Sequence, residues 1–522
     1  MNTSLKRLVL LFAAAVLARA AAHAGAAVPE NPAAPARIIT ADWQAVKGPS
    51  SEVFRECVGA GRAAEGLRGA WQAQLKVCKD EIGFKSVRFH GLLTDEMGVY
   101  SETRDGQPRY NWQYIDQVYD AMLAIGVRPF VEISFMPAAL ASGTRTTFWW
   151  KGNVSPPKSY ERWDDLITAL ARHWSERYGA SEVEQWRFEV WNEPDYGAFF
   201  APRDPNHRLD EYLELYAHTA AAIKRADPAF QVGGPAGSGT DWIRPLIQLA
   251  VTNNVPLDFI SFHTYGFSNL RTPANTATGQ RAVIDATARP NLPIHITEWS
   301  ATPSLTDPVH DSYFEAPFIL EQLKHTEKGI ASMSYWVFTD IFEESGPPVT
   351  PFNGGFGLLT IAGIKKAAFF AYQFRSRLGP TELQNADSAS WVCRDAHGGL
   401  QVLLWDLTSL TRGDQAVFRQ SSPPKPKGAV RVSLANVPAG NYQLALSKIG
   451  WHNNDAYSAY LEMGSPPQLT RAQEQKLRDA STGRPEEQRL ASIGPDGRFE
   501  DTLPLRENDV LLLTLTPALR PQ

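Results

Sequence analysis

Cysteine is almost absent from this chain: 522 residues carry three, Cys57, Cys78 and Cys393. Three thiols make no disulfide framework. A Cys57–Cys78 bridge is open in an oxidising compartment, but buried free thiols are the simpler expectation. CxxC, HExxH and any close His/Cys cluster are also missing, so no structural or catalytic zinc site and no metal cofactor is expected. The glycine-rich run from Gly233 to Gly239 matches neither G-x-G-x-x-G nor a phosphate-loop lysine motif, and no G-x-S-x-G elbow occurs. Nucleotide and serine-hydrolase chemistry therefore have no support. Basic runs are lacking and the net charge is −5, which disfavours a nucleic-acid partner.

Long apolar stretches are equally scarce. Beyond the N-terminus none approaches the roughly 18 residues of a membrane span, so no membrane partner is expected. At the N-terminus, Lys6 and Arg7 precede an apolar run from Leu8 to Leu17, and Ala22-His23-Ala24 supplies small residues around a cleavage point. Residues 1–24 thus read as a secretory signal peptide, which predicts export to the periplasm or the exterior. Losing Lys6, Arg7 and Arg19 with it would take the net charge from −5 to −8.

What the chain has is alternation. Ile115, Val118, Tyr119, Met122 and Leu123 recur at helical spacing until Gly126, and Trp163, Leu166, Ile167, Leu170, Ala171 and Trp174 do so over three turns. Leu213, Tyr216, Ala217, Ala220 and Ile223 repeat the pattern. Between such helices lie eight candidate strands: Phe54–Gly59, Ser86–Leu92, Arg128–Phe135, Phe188–Trp191, Gln231–Gly234, Phe259–His263, Ile294–Glu298 and Ala331–Phe338. Eight buried strands interleaved with helices predict a (β/α)8 barrel over residues 46–379. After that the texture changes to short alternating strands broken by Pro, Gly and Asn, which predicts an accessory β-sandwich over 380–522. Thr470 with Gln473 signals one helix near 471–480 inside it. The early strand Arg37–Trp43, within residues 25–45, is expected to join that sandwich.

In such a barrel, chemistry sits where strands end. The fourth candidate strand runs out in Trp191-Asn192-Glu193-Pro194 and the seventh in Thr297-Glu298-Trp299, delivering one carboxylate each to the same rim. Two carboxylates facing one glycosidic bond are the minimum for its hydrolysis: one protonated, to give its proton to the leaving oxygen, the other ionised, to attack the anomeric carbon. A solvated loop glutamate is the ordinary reading of either residue alone; their paired placement is what argues against it.

The stretch from Phe188 to Asp195 resembles the acid/base motif of glycoside hydrolase family 39, a family of bacterial β-xylosidases and α-L-iduronidases. Cys57 to Arg62, Arg88 to Leu93, Ser261 to Gly266, Tyr335 to Glu344 and Gly354 to Leu358 resemble its other segments. The resemblance implies Glu193 as acid/base and Glu298 as nucleophile. It implies that Asn192 bonds the sugar 2-hydroxyl and that Trp336 forms an apolar platform under the ring. His90, His263, Tyr265 and Glu343, with Glu344 beside it, would hold other hydroxyls or position the nucleophile. Each has a bland alternative: core histidines, barrel packing, loop charges. Tyr100, Trp149 and Trp150 could line outer subsites, though a surface or core role is the simpler reading.

Family iduronidases place a lysine where this chain has Tyr265 and an arginine near Gly355. Neither cation is present, which favours an exo-acting β-xylosidase. Family xylosidases often carry a histidine where this chain has Asn353, so an α-L-arabinosidase-type specificity stays open beside the iduronidase reading, as does a non-catalytic carbohydrate-binding barrel. A small carbohydrate is the expected partner, and a monomer the simplest assembly.

Overall fold

The computed structural model describes residues 37–267, 272–326, 329–408 and 412–518; the expected signal peptide lies outside them. Eight parallel strands close into a barrel in chain order: β1 (Val58–Arg62), β2 (Ser86–His90), β3 (Arg128–Ile133), β4 (Arg187–Val190), β5 (Gln231–Gly237), β6 (Phe259–Tyr265), β7 (Ile294–Ser300) and β8 (Ser332–Tyr335). The helices that follow them are α1 (Gly69–Glu81), α2 (Gln113–Ile125), α3 (Tyr160–Tyr178), α4 (Arg208–Ala226), α5 (Ile243–Thr252), α6 (Pro273–Asp285), α7 (Glu315–Thr326) and α8 (Ala367–Ser376). Among the described residues no helix is long and apolar enough to cross a membrane.

The local signals explain the helices. Ser159 caps α3 by accepting from the Arg162 amide, and the α3 stripe Trp163, Leu166, Ile167, Leu170 and Trp174 is buried. Gly126, at φ 84°, ends α2 in the left-handed conformation, bonding back to Met122 and Leu123.

The first strand departs from expectation. Val53–Arg55 is a single 3-10 turn, and β1 starts at Val58, so its sequence is the small-residue run VGAGR. A Cβ on Gly59 would lie 2.5 Å from the Trp336 ring. The strand is built of small residues because an indole packs on it, which is also why its β-propensity is low.

The remaining strands form a seven-stranded sheet, in the order Val46–Pro49, Thr381–Leu383, Ser390–Arg394, Leu400–Trp405, Val510–Pro517, Gly440–Ile449, Glu487–Ile493, and a three-stranded one of Arg37–Asp42, Pro426–Ala435 and Phe499–Arg506. Ile39, Val392, Val402, Leu404, Val432 and Leu513 bury their side chains between the two. Arg37–Asp42 pairs in parallel with Pro426–Ala435. The barrel does not begin at residue 46: Val46–Pro49 pairs with Thr381–Leu383, so both N-terminal strands belong to the sheets. Gly48 and Pro49 had masked that strand in the sequence.

The larger sheet turns Trp391 and Trp405 onto the barrel helices, where the Trp405 indole donates to Glu321 at 2.8 Å. Helices α9 (Ala456–Glu462) and α10 (Arg471–Asp479, with the Thr470/Gln473 capping box) form an insert whose Tyr460 lies 5.0 Å from Phe352 on the barrel rim. All three cysteines are buried free thiols.

Candidate active site

At the C-terminal ends of the strands lies a cavity of about 520 Å³, lined by His90, Asn192, Glu193, Tyr265, Glu298, Trp336 and Glu344, with Phe148, Tyr196, Phe199, Ser238, Pro303, Leu305 and Phe356 around them. Seven of the nine residues expected at the site therefore share one cavity.

Glu193 follows β4 through a tight backbone: Trp191 and Glu193 sit at φ 73° and 43°. These are conformations that non-glycine residues adopt only when the surroundings enforce them. Here the Trp191 indole donates to the Phe199 carbonyl at 2.8 Å, the Glu193 amide donates to the Ala236 carbonyl at 2.8 Å, and Pro194 disfavours a right-handed helical Glu193. Glu298 is delivered by an irregularity in β7. The register with β8 shifts between Ile296 and Trp299, and the two consecutive residues Thr297 and Glu298 both reach the barrel interior, Thr297 donating to Glu189 and Glu298 accepting from Arg88. Strict alternation would have sent one of them outward.

One oxygen of Glu193 and one of Glu298 lie within 4.8 Å of each other, with His263 Nδ1 between them at 2.8 Å and 3.4 Å. An approach that close is in keeping with the about 5–5.5 Å that separates the carboxyl groups of a retaining pair. These three are also the one group among the described residues clustered tightly enough to hold a metal ion. A double-displacement pair accounts for the same geometry without one.

The two carboxyls differ in surroundings. Burial pushes Glu193 well above the usual carboxylate range, and Glu298, Asp195 and Glu344 add repulsion. Burial raises Glu298 too, but the opposing groups are strong: Arg88 Nη1 at 2.8 Å, the Tyr265 hydroxyl at 2.7 Å and the His90 ring at 3.6 Å. Of the two, Glu193 is held further from ionising than Glu298.

Behind them sits a buried network that the sequence reading did not assign. The Arg88 guanidinium contacts Glu189, lies 2.8 Å from both Glu298 and Glu132, and donates to the Asn192 side-chain oxygen at 2.9 Å. His90 places Nδ1 2.8 Å from Glu132 and Nε2 3.4 Å from Glu344. Burial works against its charge, but these carboxylates win and push it up to about 10, so it is an imidazolium. Charged residues inside the otherwise apolar strands β2, β3 and β4 were the available signal.

One expectation needs correction. Glu343 does not line the cavity: Arg68 holds it at 2.7 and 2.8 Å and Arg62 at 2.9 Å, latching the loop after β8 to the segment after β1. Of the two neighbouring glutamates expected at the site, Glu344 is the one in the lining. His263 stands behind the carboxyls, 2.8 Å from Glu193 and 3.4 Å from Glu298, and burial with the nearby Arg88 and His90 charges keeps it neutral. Asn353 belongs to an adjoining cavity of about 440 Å³ with Phe342, Asp340 and Tyr457. Tyr100, Trp149 and Trp150 do not line the active cavity either; Trp150 stacks on Phe148 at 5.0 Å.

A family model described as glycosyl hydrolases family 39 matches residues 38–498. The chain is 38% identical over 459 residues to a β-xylosidase of Caldicellulosiruptor saccharolyticus, covering 85% of this chain and 91% of that protein. Among solved structures, a family 39 enzyme from Xanthomonas axonopodis pv. citri is 38% identical with a TM-score of 0.88, covering 94% of this chain and 100% of that one. A monomeric β-xylosidase from Caulobacter crescentus CB15 is 36% identical with a TM-score of 0.87, covering 93% and 100%.

Proposed function

Since the chain belongs to glycosyl hydrolases family 39, we propose that it is an exo-acting, retaining β-xylosidase that releases xylose from xylo-oligosaccharides. The observation that carries this is the pair Glu193 and Glu298, with one oxygen of each within 4.8 Å of the other and Glu193 held further from ionising. In the first step Glu193 gives its proton to the leaving oxygen while Glu298 attacks the anomeric carbon, forming a glycosyl ester. In the second, Glu193 takes a proton from water, which displaces Glu298 with overall retention.

The lining supports a sugar without a C5 carboxylate. It holds three carboxyl groups, Glu193, Glu298 and Glu344, against one cation, His90, whose two nitrogens already face Glu132 and Glu344. Among the described residues of the lining no basic side chain is left over for a uronate. Tyr265, Leu305 and Phe356 give the rest of the wall an apolar character. Export through residues 1–24 and a monomeric state belong to the same proposal; the sequence pattern supports the first and the monomeric Caulobacter relative the second.

The test uses leaving groups. Glu193→Ala should cost several orders of magnitude on xylobiose, whose leaving group is an alkoxide, and much less in the glycosylation of a dinitrophenyl xyloside, which needs no proton. Azide should then restore turnover and yield β-xylosyl azide. Equal losses on both substrates without azide rescue would remove Glu193 from the acid/base role.

A further inference from the structure

The cavity has a depth gradient. His90, Trp336 and Glu298 at its floor are 1%, 2% and 5% exposed, whereas Tyr196, three residues beyond the acid/base, lines the same cavity at 54% exposure. Among the described residues only Tyr114, Trp149 and Tyr196 are large aromatics so open to solvent, and of these Tyr196 alone lines the cavity.

Its position is fixed rather than loose. The Tyr196 amide donates to the Glu193 carbonyl at 3.0 Å, and the Phe199 amide donates to the Tyr196 carbonyl at 2.9 Å. The Phe199 ring stands edge-on to Tyr196 at 5.3 Å and is itself packed on Phe148 at 5.0 Å. On the preceding residue, the Asp195 carboxylate accepts from the Ser238 and Gly239 amides at 2.8 and 3.0 Å, tying the loop after β5 to the same segment. The aromatic face is thereby tethered to the residue that protonates the leaving oxygen.

We infer that Tyr196 is the stacking platform for the leaving-group sugar, and so a specificity-determining residue for pyranosyl over non-carbohydrate leaving groups. This rests on the hydrolase reading above. In a pocket closed at one end, the non-reducing sugar occupies the floor, and the acid/base marks the plane of the scissile oxygen. Whatever lies outward of that plane meets the leaving group. A β-linked pyranose there presents axial C–H bonds to the ring, a contact in which apolar area is buried without ordering a long side chain. The cavity's volume of about 520 Å³ leaves room for more than one pentose unit.

The experiment compares kcat/KM on xylobiose with kcat/KM on β-xylosyl fluoride, whose departing ion leaves the outer position empty. Tyr196→Ala should lower the ratio of the two by about tenfold, the size of one aromatic stacking contact. Tyr196→Phe, which keeps the face and loses the hydroxyl, should hold the ratio close to wild type. A second readout isolates the outer position: the enzyme trapped with 2-fluoro-xylose is reactivated by added xylobiose, whose hydroxyl attacks the anomeric carbon, breaks the ester to Glu298 and passes its proton to Glu193. Tyr196→Ala should raise the xylobiose concentration needed for half-maximal reactivation. An unchanged ratio together with unchanged reactivation overturns the platform while leaving the xylosidase reading intact. A wild-type enzyme inert on both xylosyl substrates would instead overturn that reading and the platform with it.

Discussion

Tyr265→Phe removes one oxygen from the site and nothing else, which makes it the sharpest test of how Glu298 is kept ionised. The Tyr265 hydroxyl donates to Glu298 at 2.7 Å, and its own proton is held tightly by burial beside Glu298 and Glu193. Hydrogen bonds to charged groups are worth about 1.5–3 kcal/mol, and one pKa unit corresponds to about 1.36 kcal/mol. Arg88 and His90 remain in the variant and absorb part of the loss, so a rise of about one unit in the lower apparent pKa of the Glu193/Glu298 pair is expected. The direction follows from the protonation state: the bond favours the carboxylate, so its removal favours the acid, and the carboxylate is the form that attacks. The acidic limb of kcat/KM against pH for an aryl β-xyloside should therefore move up by about one unit, while the basic limb stays in place. An acidic limb that stays put or moves down would refute the claim that Tyr265 supports the ionised nucleophile.

Other outcomes follow from the same geometry. A 2-fluoro-xyloside with a good leaving group should label Glu298 and nothing else, and peptide mapping of the label to another residue would reassign the nucleophile. Aryl β-xyloside should be hydrolysed at least about tenfold more efficiently than aryl α-L-iduronide, a gap of about 1.4 kcal/mol; comparable kcat/KM values would contradict the acidic lining. Glu344→Gln should lower kcat/KM, because Glu344 lines the cavity and faces His90. Glu343→Gln should leave kcat/KM close to wild type and lower Tm, because Arg68 and Arg62 lose a charged partner, although Arg62 keeps Glu65 and Glu96. The reverse pattern would return Glu343 to the site.

How much of this the sequence disclosed depended on whether a feature was local. Glu193 and Glu298 were legible because each ends an apolar run beside Asn-Pro or Trp, and the barrel was legible because eight such runs alternate with helical stripes. Which of Glu343 and Glu344 faces the cavity was not, since neighbouring residues in an irregular loop carry no period from which their directions could be read. Nor was the partnership of Arg88 with Glu132, Glu189 and Glu298. A charged residue in a strand says that something must neutralise it, but not which of the other strands does so. The β7 register shift at Thr297 and Glu298 lies beyond any period-two reading, because a bulge is defined by the partner strand. The exposed Tyr196 left no mark at all: aromatic residues in loops are as often packed as open.

On the proposed mechanism, the hidden layer is nevertheless what sets two identical side chains to the roles of acid and nucleophile. Arg88 and His90 bring two positive charges into a water-poor barrel, and such a site tolerates about as many anions as it has cations. Glu132 claims one place: both cations hold it below the usual range despite complete burial. Glu298 is the other residue that both cations approach, at 2.8 and 3.6 Å. Burial pushes Glu298 up too, as it does Glu189, Glu344 and Glu193, but Glu193, with the neutral His263 as its close neighbour, is pushed well above the usual carboxylate range. The charge count then also drives the reaction forward. When Glu298 becomes a neutral ester, the place it held among the anions falls vacant at the moment Glu193 gives up its proton. Resting enzyme and glycosyl-enzyme carry the same net charge, so the acid of the first step becomes the base of the second without any additional buried charge.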